Sequence, residues 1–514
     1  MSAEWLEVRL EDVTSKLGDG LHGTPKYDDN GEYYFINGNN LGDGKITIDE
    51  KTKRATKEEY LKHKKELTDR TILVSINGTI GNIGLYNGEK VFLGKSACYF
   101  NVNEEVDKQF IRYVVTSKYF QDHIRSLATG STIKNVSLKL MRNFTFRLPP
   151  LKIQKEISKV LEDLDKKIEL NRQTNQTLEH IAQAIFKSWF VDFEPTRAKI
   201  AAKQIGQARQ DGERSAALES ALFADARWPE AVAAAIAEGD PERAAMAAIS
   251  GKSLDEIDQL DVQGRTNAAG AGSAGAASPE QQTQLLTTAA LFPDALVDSE
   301  LGEIPEGWDV KGIKELSSKI SKGTTPRKAD IQKAEDAETI PFLKVRDISN
   351  DGEITRVGLD KIPESIHSGT LKRSMLEAND LLFSIAGTIG RVALVEEDLS
   401  ISNCNQAIAF VRLKESEKYL ELCRLNLVGS RVQDEVISKV VQGVQANFSL
   451  TGLGEIKVLI PSEDLLASFN KTVGDMGNKQ RLLLSENRKL AELRDALLPK
   501  LLSGELELTS KGAA

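Results

Sequence analysis

The sequence has little of what chemistry at a site usually draws on. Its 514 residues include 3 cysteines and 5 histidines. Cys98, Cys404 and Cys423 stand far apart with no CxxC, which excludes a disulfide framework and a cysteine-ligated zinc, and fits a reducing cytoplasm. His22, His63, His123, His180 and His367 show no metal-ligand spacing. No apolar run reaches membrane-spanning length, and the opening MSAEWLEVRLEDV lacks the apolar centre of a signal peptide. The expected location is therefore cytoplasmic.

Motifs that would cradle a cofactor fail in detail. Gly251-Lys252-Ser253 ends like a phosphate loop, but Met246 stands where its first Gly belongs, and Gly94-Lys95-Ser96 fails the same way at Glu89. Gly270, Gly272 and Gly275 spell GxGxxG inside a Gly/Ala stretch that no strand precedes. No Asn-Pro-Pro-Tyr methylation motif occurs, and Pro293-Asp294 lacks the Glu-x-Lys of a nuclease. The expectation is no catalytic residue, no metal and no cofactor bound by this chain.

Positive charge is also lacking overall, with a net of −9. Its location qualifies that figure. Residues 201–300 hold 16 acidic against 7 basic side chains, a local net of −9, so the rest is neutral and residues 1–150 carry 22 basic against 20 acidic. The acidity belongs to one segment, which leaves the remainder free to meet phosphate.

What is present is a pattern given twice. In residues 151–194, Ile157, Leu164, Asn171, Leu178 and Ile185 fall seven apart, beside Leu161, Ile168, Asn175, Ala182 and Trp189. That apolar seam makes a long helix wrap around a partner. In 463–505, Phe469, Met476, Leu483, Leu490 and Leu497 repeat the first row 312 residues later, and Val473, Gln480, Asn487, Arg494 and Leu501 the second. Asn175 and Asn487 thus hold equivalent seam places, where a polar residue fixes register. Pro149-Pro150 precede the first helix and Pro195 follows it; Ser462 can cap the second and Gly504 end it. Each helix would be about 50 Å long.

The segments before the helices repeat as well. Trp5-Leu6-Glu7-Val8 meets Trp308-Asp309-Val310, and Gly23-Thr24-Pro25-Lys26 meets Gly323-Thr324-Thr325-Pro326-Arg327. Ser75-Ile76-Asn77-Gly78-Thr79-Ile80-Gly81 meets Ser384-Ile385-Ala386-Gly387-Thr388-Ile389-Gly390, and Asn135-Val136-Ser137 meets Asn447-Phe448-Ser449. Between the repeats, residues 196–300 are Ala-rich, with a Gly/Ala/Ser linker near 264–282, and part of the segment is expected to form helices beside the coiled coil. Strands are expected at Tyr33–Ile36, 72–76 and Ala97–Val102, and one helix from Phe110 to Leu127. Lys51, Lys53, Arg54, Lys57, Lys62, Lys64 and Lys65 form a dense basic run, read as a solvated helix face or a phosphate contact.

These features together resemble the specificity subunit of type I restriction-modification systems. The resemblance rests on the two Gly-Thr-Ile-Gly turns (78–81, 387–390), on Leu148-Pro149-Pro150-Leu151 leading to Gln154, on the run 185–193, and on Leu291-Phe292-Pro293 before 301–308. It covers nearly the whole chain. The second half departs at Ile460-Pro461-Ser462, where the double proline and the Gln are missing.

The resemblance implies an α+β fold with two pseudo-repeated target-recognition domains separated by two long antiparallel coiled-coil helices. The expected boundaries are 1–150 and 304–461 for the recognition domains, 151–195 and 462–505 for the helices, 196–303 for the connecting segment and 506–514 for a tail. It implies a chain that is no enzyme by itself: the DNA-reading subunit of an adenine-N6 methyltransferase and type I endonuclease complex. Its partners would be double-stranded DNA with a bipartite target, two methyltransferase subunits carrying S-adenosylmethionine and docking on the helical region, and two restriction subunits, if present, using ATP and Mg. Candidate DNA contacts are Lys26, Lys53, Arg54, Lys57, Lys134 and Asn135 in the first domain, and Arg327, Lys328, Arg346, Gln445 and Asn447 in the second. Gly130-Ser131-Thr132 and Gln442-Gly443 are expected to be exposed loops. The alternative is a non-enzymatic coiled-coil scaffold whose repeated domains bind protein.

Overall fold

The computed structural model describes residues 5–42, 44–128, 135–211, 222–223, 228–258, 279–334, 338–440 and 447–506. The chain forms two compact units, Met1–Arg172 with Leu483–Ala514, and Gln173–Leu482.

In the first unit a four-stranded antiparallel sheet runs in the order Thr14–Asp19, Ala97–Val102, Thr71–Ser75, Ile83–Leu85. Thr71–Ser75 and Ala97–Val102, rich in β-branched and aromatic residues, are buried along their whole length. A second small sheet joins Arg54–Ala55, Tyr33–Ile36 and Val91–Leu93, the last two in parallel. Leu6–Arg9 pairs antiparallel with Thr145–Leu148, which brings the opening strand beside the last one before the long helix. Phe100, Phe110, Phe120 and Phe144 are fully buried and share a core with Ile157 and Leu161 of one long helix and Leu498 and Leu501 of the other. Each such phenyl ring contributes about 2–3 kcal/mol by leaving water.

The single helix expected from Phe110 to Leu127 is two, Lys108–Thr116 and Lys118–Ser126. Ser117 breaks it: its backbone is extended, its hydroxyl donates to Val114 O at 2.6 Å and it accepts from Phe120 N at 3.3 Å, ending one helix and capping the next. The basic run at 51–65 likewise holds only a seven-residue helix, Lys57–His63, capped by Thr56.

The second unit repeats this topology. Ser317–Lys322, Ile408–Leu413, Leu381–Ser384 and Val392–Leu394 form the four-stranded sheet in the same order. Thr339–Leu343 lies parallel to Ser402–Cys404 and antiparallel to Asp360–Pro363. Asp309–Gly312 pairs with Lys457–Ile460. This unit also holds the helices Glu194–Gln210, Glu230–Glu238, Pro241–Ser250 and Pro279–Ala290. They close on a core of small side chains that includes Ala198, Ala202, Ala235, Ala244 and Ala247. Lys199 is buried among them, and its Nζ donates to Ala289 O (3.3 Å) and Phe292 O (2.9 Å). Thr288 Oγ1 meets Ser468 Oγ of the second long helix at 2.8 Å. The last of these helices starts inside the stretch read as linker, with Pro279 and Glu280, residues favoured at helix starts, at its head. The remainder of that linker, and the GxGxxG within it, lies outside the described residues.

The two long helices are Leu151–Phe190 and Glu463–Ser503. They pair antiparallel. In the first unit Asp165 meets Arg494 and Asn171 meets Asn487; in the second, Asn175 meets Gln480 and Phe190 packs on Phe469 with ring centroids 4.8 Å apart. Ser462 accepts from Leu465 N at 3.4 Å at the start of the second helix, and Gly504 follows its end with φ +76°. After the first helix Phe193 turns left-handed and Pro195 already sits at the head of the next one. Among the described residues no helix is long and apolar enough to cross a membrane, and no cluster of three His, Cys, Asp or Glu could hold a metal ion.

Candidate nucleic-acid interface

The Gly-Thr-Ile-Gly turns are built identically. Ser75 Oγ donates to Thr79 O and accepts from Asn82 N at 2.8 Å; Ser384 Oγ donates to Thr388 O at 2.6 Å and accepts from Arg391 N at 2.8 Å. Gly81 and Gly390 both take φ +94°, where only glycine is at ease. A side chain there would also collide with a glutamine: a Cβ on Gly81 would stand 2.0 Å from Gln121 Oε1, and one on Gly390 2.3 Å from Gln433 Oε1. Gln121 Nε2 donates to Gly81 O (3.0 Å) and Val115 O (2.8 Å); Gln433 Nε2 donates to Gly390 O (3.1 Å) and Leu427 O (2.6 Å). Each glutamine clamps the turn to the helix behind it. Reading the sequence for motifs missed both, although they lie 312 residues apart like the seam.

Asn135 and Asn447 sit beside these turns. Asn135 bridges Asn77 and Asn447 bridges Ala386, while Val136 N and Phe448 N donate to Ile76 O and Ile385 O at 2.9 Å. Both asparagines are exposed. Lys134, Gln445, Gly130-Ser131-Thr132 and Gln442-Gly443 lie outside the described residues.

The basic candidates of the first domain come together around one small sheet. Lys53 and Arg54 lead into Lys57 at the head of its helix, and Asp28 N donates to Arg54 O at 2.9 Å, which lays residues 26–28 alongside. Lys26 N donates to Glu59 at 2.9 Å, and that hydrogen bond holds the Glu59 carboxyl below its ordinary range. Lys53 Nζ is 6.0 Å from the Tyr27 ring and the Arg54 guanidinium 5.0 Å from the Tyr34 ring. Among the described residues none of the side chains of Lys26, Lys53, Arg54 and Lys57 is in an ion pair. Four cations, two of them beside tyrosine rings, can take phosphate oxygens.

The second domain is arranged differently. Arg327 and Lys328 are exposed at the head of Lys328–Lys333. Arg346 is committed to carboxylates, reaching Asp360 at 2.8 Å and Asp347 at 3.4 Å; Lys344 also contacts Asp360 and, first among the causes, holds its carboxyl below the usual range. Phosphate at Arg346 would have to compete with Asp360. Arg373, missed in the sequence, donates to Thr324 Oγ1 at 3.2 Å and so stands at the loop that carries Arg327.

That loop also corrects a pairing. The counterpart of Gly323 is Gly20, not Gly23. A Cβ on Gly20 would stand 2.2 Å from Leu93 O, and one on Gly323 1.9 Å from Cys404 O, and Leu93 and Cys404 hold the same place in the parallel strand pair of each unit. The close backbone approach fixes the glycine; the residues after it differ in number.

The helix seam carries a polar layer. Asn171 is buried, and its Nδ2 donates to Glu486 (2.7 Å) and Asn487 Oδ1 (2.9 Å), while Asn487 Nδ2 donates to Ile168 O at 3.3 Å. In the second unit Gln480 Nε2 donates to Asn175 O at 3.1 Å. Ile157, Phe469 and Leu483 are buried in the seam; Leu164, Leu178, Ile185, Met476, Leu490 and Leu497 are half-buried. The cysteines offer no nucleophile: all three are buried, and burial pushes the thiols of Cys404 and Cys423 up to about 12 and that of Cys98 higher still.

Comparison with known proteins matches both repeats. The family model of the type I restriction modification DNA specificity domain covers residues 2–180 and 305–464. This chain belongs to that family. It is 30% identical over 398 residues to the type I restriction enzyme HindI specificity subunit of Haemophilus influenzae, covering 76% of this chain and 75% of that one. It is 28% identical over 174 residues to the MjaIX specificity subunit of Methanocaldococcus jannaschii, covering 34% of this chain and 37% of that one. The crystal structure of a type I restriction-modification S subunit from M. genitalium aligns over 98% of this chain and 97% of that chain at 15% identity, with a TM-score of 0.43. The chain is thus a type I specificity subunit with two recognition domains, a class of subunit that is not itself catalytic.

Proposed function

We propose that this subunit reads a split DNA target, one half with each recognition domain, and holds two methyltransferase subunits on its helical region, in a complex that two restriction subunits join. The observation that supports this most is one topology used twice with different loops. The scaffolds agree down to Gln121 and Gln433, while the basic groups diverge, Lys26, Lys53, Arg54 and Lys57 in one and Arg327 and Lys328 in the other. Two different surfaces on one scaffold suit two different half-sites. Lysine and arginine would fix the phosphate backbone, and Asn135 and Asn447, exposed beside their turns, would face base edges. The polar seam layer would hold the helices in one register and so set the spacing between the half-sites. S-adenosylmethionine would enter with the methyltransferase subunits, and ATP and Mg with the restriction subunits, in the cytoplasm where the DNA is. Mapping methylated adenines across the genome, with and without this gene, tests the reading. The expected result is a motif of two short blocks with a fixed spacer that disappears on deletion. An unchanged pattern of methylation would rule DNA reading out.

A further inference from the structure

Each recognition domain has one tight turn that joins the parallel strand of its small sheet to an inner strand of its four-stranded sheet. In the first domain the turn is 94–97, between Val91–Leu93 and Ala97–Val102; in the second it is 405–408, between Ser402–Cys404 and Ile408–Leu413. The same hydrogen bond closes both: Ala97 N donates to Gly94 O at 3.0 Å, and Ile408 N to Asn405 O at 3.2 Å. The second residue of each turn is exposed, and it is Lys95 in one and Gln406 in the other.

Both turns are held from two sides by the same backbone contacts. On one side Leu21 N donates to Leu93 O at 2.7 Å and Thr324 N to Cys404 O at 3.1 Å, which lays the loop after Gly20 or Gly323 against the turn. That loop passes through a buried proline, Pro25 or Pro326, to an exposed cation, Lys26 or Arg327. On the other side Ile76 N donates to Ser96 O at 2.9 Å and Ile385 N to Ala407 O at 2.8 Å. The carbonyls of Ile76 and Ile385 then accept from Val136 N and Phe448 N, so Asn135 and Asn447 come next. In each domain the turn therefore stands between the cation of one loop and the asparagine of another. The backbone is duplicated bond for bond, while the displayed side chain changes from an ammonium to a neutral amide. A position that only gripped phosphate, which is the same in every sequence, would be served by a cation in both domains. Among the described residues Lys95 Nζ has no hydrogen-bond or ion-pair partner. Gln406 is oriented: its Oε1 accepts from Thr325 Oγ1, and its Nε2 has no partner among the described residues.

We propose that Lys95 and Gln406 each read a base, Lys95 a guanine in one half-site and Gln406 an adenine in the other, with Thr325 as a positioning residue for Gln406. This rests on the reading above that each domain takes one half of a split target. A lysine ammonium donates to O6 and N7 of guanine; a glutamine accepts from N6 of adenine and donates to its N7. The Thr325 hydroxyl uses one lone pair of Gln406 Oε1 and leaves the other for adenine, and it fixes which end of the amide is the acceptor. Lys26 and Arg327, on the adjoining loops, would hold the phosphate backbone in register with the turn.

The test uses the full chain assembled with the methyltransferase subunit of the same system and S-adenosylmethionine. The wild-type motif is read from the methylated adenines, and methylation rates are then measured on duplexes in which each base pair of the motif is changed in turn. Lys95→Ala is expected to cut the preference for one guanine in one block at least about fivefold, and Gln406→Ala the preference for one adenine in the other block by as much, with the remaining block and the spacer unchanged in each case. Thr325→Val should relax the same adenine as Gln406→Ala and add nothing to it in the double variant. Where an alanine variant melts lower than wild type, Lys95→Met or Gln406→Leu replaces it, keeping bulk and losing the polar group. Rates that fall alike on every duplex would mark a phosphate grip and overturn the inference. Relaxation at a base other than the guanine or the adenine would overturn the assigned pairing. A motif and rate unchanged in either variant would overturn that residue's role and leave the reading of a split target standing. A wild-type complex that methylates without a split motif overturns that reading and this inference with it.

Discussion

Arg112 in the first unit and Arg424 in the second are 312 residues apart and do one job with different partners around them. Arg112 reaches Asp165 of the first long helix at 3.0 Å; Tyr113 Oη donates to the same carboxylate at 2.8 Å, and Arg494 of the second helix reaches it at 2.9 Å. That is one carboxylate between two arginines. Gly477 stands where Asp165 would repeat, and a Cβ there would be 3.1 Å from Glu421 Oε1. So Arg424 takes its carboxylates elsewhere: Glu179 of the first long helix at 3.0 Å and Glu421 of its own helix at 2.8 Å. That is two carboxylates on one arginine, with Arg481 more distant, 3.9 Å from Glu421. Gln109 fills the place of Glu421 in the first unit. The arginine is the constant of the joint between recognition domain and rod, and each joint found its own counter-charge.

The difference can be broken by removing the constant. Arg424→Ala leaves Glu179, 20% exposed, with only the amides of Gln183 and Gln480, and Glu421, 10% exposed, with only Arg481 at 3.9 Å, and should cost about 3 kcal/mol. Arg112→Ala leaves Asp165 with Arg494 and Tyr113, and should cost about 1 kcal/mol. Hydrogen exchange of the full chain reads the two separately, at Ser416–Val428 and Lys108–Thr116. Equal losses would mean that the counter-charges do not matter. A second pair sharpens the contrast from the other side. Gln121→Ala and Gln433→Ala each remove two hydrogen bonds of the same design, so they should cost about 1–2 kcal/mol alike, measured by denaturant unfolding. A gap as wide as that between the arginines would show that the turns are not equivalent.

These joints also show what was legible. The seam was, because apolar residues seven apart leave a period that survives in one chain, and the common offset pointed to the partner helix, while the antiparallel sense came from the resemblance. The strands 33–36 and 97–102 were, because both are rich in aromatic and β-branched residues, the first half-buried at Tyr33 and Tyr34 and the second buried throughout. The helix break at Ser117 was not: a serine inside an amphipathic pattern signals a cap only once its hydroxyl is seen to accept from Phe120 N. Gln121 and Gln433 were hidden for a related reason, since a glutamine on a helix is ordinary until the carbonyl of a glycine 40 or more residues away is placed against it. Arg346 looked like a free cation because Asp360 is 14 residues distant along the chain. Gly323 was paired with Gly23 because similar letters follow both, whereas the constraint it shares with Gly20 is a backbone approach that letters do not carry. Periodicity is written in sequence; polar contacts made across the fold are written only where an internal repeat duplicates them.

The smallest expected effect concerns pH. Burial raises the Glu179 carboxyl, but Arg424, together with hydrogen bonds from Arg424, Gln183 and Gln480, outweighs it and holds the group below its ordinary range of about 4.5. A carboxyl depressed on folding contributes stability that is present above the unfolded value and lost as pH falls through the folded one. The second unit should therefore lose stability below about pH 4.5 with an acid limb that steepens as Glu179 takes up its proton. Glu179→Gln keeps the shape and one accepting oxygen but removes the titration, so its acid limb should be shallower than wild type, while the first unit, followed by exchange at Lys108–Thr116, should respond to acid as before. If Glu179→Gln and wild type fall in parallel between pH 5 and pH 3, the ion pair with Arg424 is not what anchors that recognition domain in acid, and the contrast between the joints reduces to geometry.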